Sequence, residues 1–222
     1  MNARSDAGRI AVWGSSGSGK STYVQRRIAN ARRVVVFDPM AEYEKCDRAR
    51  RLDDIRLLME ANWTAFRIAY RPPVGKEAEA LSKVCFGLLK AQEPFLAGQS
   101  KRRLTLVVEE LNLSFPVHGG ATKCPGFAEI CSRGRHSGIT VIGISQRAKE
   151  VSKRFRGNCT EAVTFMQFDE GDAKAAAESV RCRFNQIPSE PLHYIRRSGA
   201  KVTTGKLLFS GKNPERTKKR RS

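Results

Sequence analysis

Apolar residues in this chain occur in short continuous runs, and the stretches between the runs show helical spacing or carry no helix breaker. The runs predict strands over residues 9–13, 33–39, 64–70, 104–108, 139–144 and 162–166. The intervening stretches predict helices over residues 22–29, 51–62, 76–91, 126–133 and 172–180, and residues 201–209 predict a late hairpin or edge strand. Strands that are apolar at consecutive positions are buried on both faces, so the pattern indicates an α/β fold with a mostly parallel, doubly wound central sheet flanked by helices.

The length of the chain sets the number of domains. Its 222 residues are enough for one α/β domain with a substantial core and too few for two. We therefore expect a single domain over residues 1–210. The last residues, 211–222, are dominated by Lys and Arg and have no apolar period, which predicts a disordered basic tail.

The composition is strongly basic. Lys and Arg number 41 against 22 Asp and Glu, which gives a formal net charge of +19. Such an excess favours a polyanionic partner, nucleic acid first. An anionic membrane surface and simple solubility are alternative explanations of the same charge.

The sequence lacks the marks of export and of membrane insertion. The N-terminal residues contain no apolar signal core, and no run approaches the roughly 20 apolar residues of a spanning helix. We therefore expect a cytoplasmic protein without a membrane span. The six cysteines are scattered without a C-x-x-C pair, so we expect reduced core residues, and Cys124, Cys131 and His136 match no common zinc spacing.

The most informative segment is residues 14–22, which fit the pattern G-x-x-x-x-G-K-[ST] between a predicted strand and a predicted helix. The glycines let backbone N–H groups point at phosphate oxygens, and the following helix adds its positive N-terminal dipole. In this pattern Lys20 reaches the β- and γ-phosphates, and the Ser21 hydroxyl is placed to ligate Mg²⁺. The sequence predicts a site for ATP and Mg²⁺ formed by Gly14, Ser15, Ser16, Gly17, Ser18, Gly19, Lys20, Ser21 and Thr22.

Two acids and an amide follow predicted strands. The strand over 104–108 runs directly into Glu109 and Glu110, which places both carboxylates at its C-terminal end. We expect Glu109 in the Mg²⁺ shell and Glu110 as the base that deprotonates the attacking water. Gln146, after the strand over 139–144, is expected to sense the γ-phosphate. The alternatives are a solvated acidic turn and a glutamine that caps a local backbone group.

A compact basic turn precedes the strand over 139–144. It contains Arg133 and Arg135, and we expect one of them to act in trans on nucleotide bound between two subunits. Binding to DNA phosphate and surface ion pairs are alternative roles for these two arginines.

In order along the chain, the motif at 14–22, Val36-Phe37-Asp38-Pro39 followed by Glu42-Tyr43, Glu109-Glu110, Gly134-Arg135-His136 and Ser145-Gln146-Arg147 resemble the FtsK–HerA superfamily of DNA-pumping ATPases. The resemblance covers roughly residues 8–170. Within the superfamily, the chain looks most like the genome-packaging ATPases of internal-membrane, double-jelly-roll viruses such as tectiviruses.

The resemblance implies a RecA-like P-loop NTPase domain, a hexameric ring of identical subunits and translocation of double-stranded DNA through the ring. It also implies a capsid or portal partner, and a location in the host cytoplasm or as a component of the virion. Basic side chains that track a phosphate backbone fit this interpretation. The candidates for that contact, or for another trans-acting arginine, are Lys149, Lys153, Arg154 and Arg156, and an ordinary solvated face is the alternative.

The leading hypothesis from the sequence is therefore a DNA-translocating ATPase that packages a viral genome. Three other interpretations stay open: an assembly or export ATPase like those of filamentous phages, a P-loop kinase acting on a small molecule, and a basic nucleic-acid-binding protein with a relic nucleotide site. The acids at 109–110 together with Gln146 favour attack by water over transfer to a small acceptor.

Overall fold

A central sheet of nine strands organises the part of the chain that the computed structural model describes, residues 7–208. The strands are β1 (Arg9–Trp13), β2 (Arg33–Phe37), β3 (Asp47–Ala49), β4 (Phe66–Tyr70), β5 (Leu104–Val108), β6 (Ile139–Ser145), β7 (Glu161–Thr164), β8 (His193–Ser198) and β9 (Lys201–Lys206). Their order across the sheet is β3-β4-β2-β5-β6-β1-β7-β8-β9. Strands β1 to β7 pair in parallel, and β8 and β9 form an antiparallel edge hairpin. The predicted mostly parallel sheet with a late hairpin is confirmed.

Helices connect the parallel strands. They are α1 (Lys20–Arg27), α2 (Leu52–Ala61), α3 (Glu77–Ala91), α4 (Glu93–Leu96), α5 (Leu111–Ser114), α6 (Gly120–Lys123), α7 (Pro125–Arg133), α8 (Lys153–Arg156) and α9 (Glu170–Val180). The five predicted helices are present, and α1 begins at Lys20 rather than at residue 22. The four-residue helices, β3 and β8 were not predicted, because they are too short or too polar to show a period.

Two apolar layers cover the sheet, one on each face. The larger layer contains side chains of α2, α3, α7, α8 and α9, and its fully buried aromatic residues include Trp13, Phe127 and Phe155. The second layer contains Val24 and Ile28 from α1 and its C-terminal cap. Helix α1 therefore packs on this face, and its position fixes the residues at its N-terminus.

The order of the strands decides which strand ends meet. Strand β6 pairs with both β1 and β5, so the C-terminal ends of these three parallel strands lie side by side at one edge of the sheet. That edge carries residues 14–22 after β1, Glu109 and Glu110 after β5, and Gln146 after β6. One strand inserted between β1 and the acid-bearing strand is the arrangement of a RecA-like sheet.

Several expectations concern features outside the sheet. Residues 7–208 contain no helix long and apolar enough to cross a bilayer. All six cysteines have free thiols, four of them buried. The same part of the chain has no cluster of three or more His, Cys, Asp or Glu side chains suited to holding a metal ion. The predicted basic tail at 211–222 lies outside the described residues.

Candidate nucleotide-binding site

The loop after β1 has backbone conformations that require glycine. Gly17 has φ +71° and Gly19 has φ +112°, both in the region that L side chains rarely adopt. At Gly14 the limit is space, because a Cβ there would lie 2.5 Å from Ser18 Oγ and 2.8 Å from Phe165 Cβ. The glycines predicted from the motif therefore have a structural reason at these three positions.

Neighbouring strands hold the loop in place. The Ser15 N–H donates to the Met166 carbonyl at 2.9 Å, just beyond β7. On the other side, the Leu192 N–H donates to the Ser18 carbonyl at 2.9 Å, at the start of the edge hairpin. These two hydrogen bonds join the loop to the segments next to β7 and β8 and limit its movement.

Lys20 opens α1 and lies largely buried within the loop. Its ammonium donates to the Ser15 carbonyl at 2.9 Å. Burial lowers the pKa of Lys20, and the negative charges of Glu110, Glu109 and Glu42 act against that shift. The ammonium therefore lies beside the backbone groups that the motif assigns to phosphate.

Glu109 and Glu110 occupy different environments although they are adjacent. Glu109 is only 4% exposed and accepts a hydrogen bond from the Tyr43 hydroxyl at 2.7 Å. Burial raises the pKa of Glu109 to about 8, and the hydrogen bond from Tyr43 opposes the shift. Glu110 has φ +45°, a conformation rare for this residue type, and its carboxylate accepts from Gln146 Nε2 at 2.7 Å.

A third acid, Glu42, reaches the site from the loop after β2. The Ser21 hydroxyl donates to Glu42 Oε2 at 2.9 Å. The loop itself is fixed by Asp38, whose two carboxylate oxygens accept the backbone N–H groups of Glu42 and Tyr43, each at 3.0 Å. From the sequence, Glu42 and Tyr43 were part of the family resemblance and received no role of their own.

These groups line one cleft of about 230 Å³. Its chemically active side chains are Lys20, Ser21, Glu42, Glu109, Glu110 and Gln146. The loop residues Ser16, Gly17, Gly19 and Thr22 line it as well. The structure therefore brings together the loop, both acids and the amide named from the sequence, and their chemical roles stay predictions.

The donor set of the cleft fits Mg²⁺. This ion binds proteins through one or two oxygen side chains, keeps several waters and takes further oxygens from substrate phosphates. The Ser21 hydroxyl with Glu42 and Glu109 in the same cleft supplies oxygen donors of that kind. A phosphate-binding loop beside them would supply the remaining ligands through the substrate.

Arg133 and Arg135 lie away from this cleft. Both precede β6, so they are at the edge of the sheet opposite the strand ends that carry the loop and the acids. Arg133 Nε pairs with Glu129 Oε1 at 3.3 Å on the surface of α7, and Arg135 is exposed. Neither arginine reaches the cleft of its own subunit.

The four other basic candidates follow β6. Lys149 pairs with Asp169 at 2.7 Å, and Arg154 donates to the Ser132 hydroxyl at 2.9 Å. Arg156 donates to the Val151 carbonyl at 3.0 Å, while Lys153 is exposed. Three of the four side chains therefore have partners within the subunit.

A glycine-lined loop between β1 and α1, with acids on a strand two places away in a parallel sheet, defines a P-loop NTPase fold of the RecA-like type. No protein-family model matches the sequence, and no curated protein matches it at the level of sequence. Solved structures do match.

The chain has the fold of the genome-packaging NTPase B204 from Sulfolobus turreted icosahedral virus 2. In complex with ATP-γS, that structure superposes with a TM-score of 0.72 and 15% identity over 94% of this chain and 100% of B204. The pCW3 conjugation coupling protein TcpA gives a TM-score of 0.59 at 16% identity, over 90% of this chain and 60% of TcpA. EssC (ATPases 2 and 3) from Geobacillus thermodenitrificans gives 0.63 at 12% identity, over 94% and 41%. The resemblance predicted from the motifs is confirmed as a likeness of fold.

Proposed function

We propose that this protein hydrolyses ATP and uses the reaction to move double-stranded DNA during the packaging of a viral genome. The observation that carries the proposal is the Gln146–Glu110 hydrogen bond of 2.7 Å in the cleft that also holds the phosphate loop. A carboxylate fixed by an amide beside a phosphate loop suits attack by water on a terminal phosphate. The likeness of fold to B204, a genome-packaging NTPase, supports genome packaging as the proposed role.

The proposed hydrolysis uses the cleft residues in distinct roles. The loop N–H groups bind the phosphates, and the Lys20 ammonium exchanges the Ser15 carbonyl for a phosphate oxygen. Glu110 accepts a proton from the attacking water, and Gln146 holds that carboxylate in place. Water adds to the γ-phosphorus while the bond to the β-phosphate oxygen breaks. Mg²⁺, held by Ser21 beside the carboxylates of the cleft, would neutralise charge on the phosphates.

We also propose that basic side chains of the protein contact DNA. The net charge of +19 suits contact with a phosphate backbone without base readout. Because Arg133 and Arg135 lie at the opposite end of the strands from the cleft, we propose that one of them acts on nucleotide at the site of a neighbouring subunit, in the hexameric ring that the resemblance implies. We further propose that the protein acts in the host cytoplasm or as a component of the virion. Its partner there would be a capsid or portal protein.

Steady-state ATP hydrolysis, with and without long double-stranded DNA, tests the proposal directly. Wild-type protein should hydrolyse ATP faster with DNA, and Lys20→Ala should lose turnover under both conditions. If preparations that form rings hydrolyse ATP at the same rate with and without DNA, the protein is not a DNA-dependent motor. Transfer of the γ-phosphate to an added nucleoside, detected by chromatography, would favour a small-molecule kinase instead.

The alternative function, an assembly or export ATPase, is supported by two other structures of the same fold. TcpA, a conjugation coupling protein, and EssC share the fold. Association of the purified protein with capsid shells favours packaging. Association with membrane vesicles and no binding to shells would favour an assembly or export ATPase.

A further inference from the structure

The loop that follows β2 is held in one conformation by its own residues. Both oxygens of Asp38 accept backbone N–H groups, those of Glu42 and Tyr43, at 3.0 Å each. Ala41 within the loop has φ +60°, a conformation that is unfavourable for a non-glycine residue and persists only where surrounding contacts enforce it. The positions of Glu42 and Tyr43 are therefore determined by the fold and not by chance side-chain contacts.

The two side chains that this loop delivers go to different partners. Glu42 accepts a hydrogen bond from the Ser21 hydroxyl at 2.9 Å. Tyr43 donates its hydroxyl to Glu109 at 2.7 Å. Glu109 is 4% exposed, whereas Glu42 is solvent-exposed at the cleft. Glu109, which the sequence predicted as a metal-binding acid, is therefore hydrogen-bonded to Tyr43. Glu42 is the acid that contacts the Ser21 hydroxyl.

A serine hydroxyl that binds a metal ion needs a partner for its proton. The group has one proton to donate and two lone pairs to offer. When its oxygen ligates a cation, the proton needs an acceptor on the other side, and an outer carboxylate that takes it orients the ligand and raises its basicity. Ser21 uses its one O–H in a hydrogen bond to Glu42, and no hydrogen bond in the described chain joins Ser21 to Glu109.

We propose that Glu42, and not Glu109, is the positioning residue for the metal-ligating hydroxyl of Ser21. Glu109 has a different role: its hydrogen bond with Tyr43 holds the segment that carries Glu42 in place. This inference rests on the proposed function, since it concerns the Mg²⁺ that accompanies ATP.

The test compares the binding of the non-hydrolysable analogue AMPPCP with Mg²⁺ and with EDTA, by calorimetry on the full chain. Glu42→Gln should reduce the tightening that Mg²⁺ produces by about 10- to 100-fold, the usual effect of losing an outer partner of a metal ligand. Affinity in EDTA should stay equal or rise, because a negative charge leaves the cleft. A merely structural defect would weaken binding under both conditions alike.

Two matched variants complete the experiment. Glu44→Gln makes the same charge change two residues away on the exposed side of the loop and should behave as wild type. Glu109→Gln keeps an acceptor for Tyr43 and should reduce the tightening by Mg²⁺ less than Glu42→Gln does. If Glu109→Gln loses the tightening by Mg²⁺ and Glu42→Gln keeps it, the inference is wrong and the proposed function still stands. Failure of wild-type protein to bind AMPPCP under either condition removes the proposed function together with it.

Discussion

The side chains of Glu110 and Gln146 are joined across two neighbouring strand ends, with Gln146 Nε2 donating to Glu110 Oε1 at 2.7 Å. The contact holds the Glu110 carboxylate in one orientation beside the phosphate loop, which suits a group that must accept a proton from water. The backbone of Glu110 is also in a rare conformation, with φ +45°.

Replacing Glu110 with Gln should separate binding from hydrolysis. The variant keeps the size of the side chain and removes the base, so ATP turnover should fall by about 10²–10⁴-fold while AMPPCP affinity changes little. Phosphate release and calorimetry measure the two quantities, with Glu44→Gln as the matched loss of one negative charge. Turnover near the wild-type rate in Glu110→Gln would remove the base assignment.

Stability should fall with rising pH through the titration of Glu109. Its pKa is about 8 in the folded chain and near the ordinary value of 4.5 when unfolded, so the folded state binds the extra proton between these values. Linkage then lowers the free energy of unfolding by about 1 kcal/mol per pH unit between about pH 5 and 8, with no further loss above. Denaturant unfolding at several pH values measures this slope.

The control for this slope is Glu109→Gln, which has no proton to lose and still accepts from Tyr43. The slope of the variant should be flatter than that of wild type over the same range. Equal slopes would mean that Glu109 titrates near its ordinary pKa.

Gly19→Ala should destabilise the phosphate loop. The φ of +112° is unfavourable for any L side chain, and the new Cβ would lie 3.0 Å from Leu207 Cδ1 and 3.1 Å from Leu192 Cδ2. We expect a loss of about 1–3 kcal/mol in the free energy of unfolding, measured by chemical denaturation. Gly87→Ala, inside α3 with open space around it, should instead raise stability by about 0.5–1 kcal/mol.

Arg67 should stabilise α1 through its C-terminal end. One guanidinium nitrogen donates to the carbonyls of Ile28, Ala29 and Ala31 at 2.7, 2.7 and 3.1 Å. Arg67→Met keeps an unbranched side chain and removes these donors, so the free energy of unfolding should fall by about 2 kcal/mol. The exposed Arg71→Met, just beyond β4, should stay within about 0.5 kcal/mol of wild type. Equal effects of the two variants would contradict a specific role for Arg67.

The long elements could be predicted because their signals are local. Strands β1, β2 and β5 are continuous apolar runs that end at a glycine, a proline-containing turn or a pair of acids. The three-residue strand β3, with two exposed residues, carries no such signal. Helices α4, α5, α6 and α8 have four residues each and depend on tertiary packing rather than on propensity.

The sequence by itself determined the phosphate loop, because its chemistry resides in nine consecutive residues whose backbone geometry needs glycine at fixed places. It also determined that the acids after β5 would lie at the same sheet edge, since parallel strands bring their C-terminal ends together. Only the tertiary structure decided which acid meets which partner. Ser21 and Glu42 are 21 residues apart, and Tyr43 and Glu109 are 66 apart, so their contacts depend on the path of a loop that no local pattern specifies.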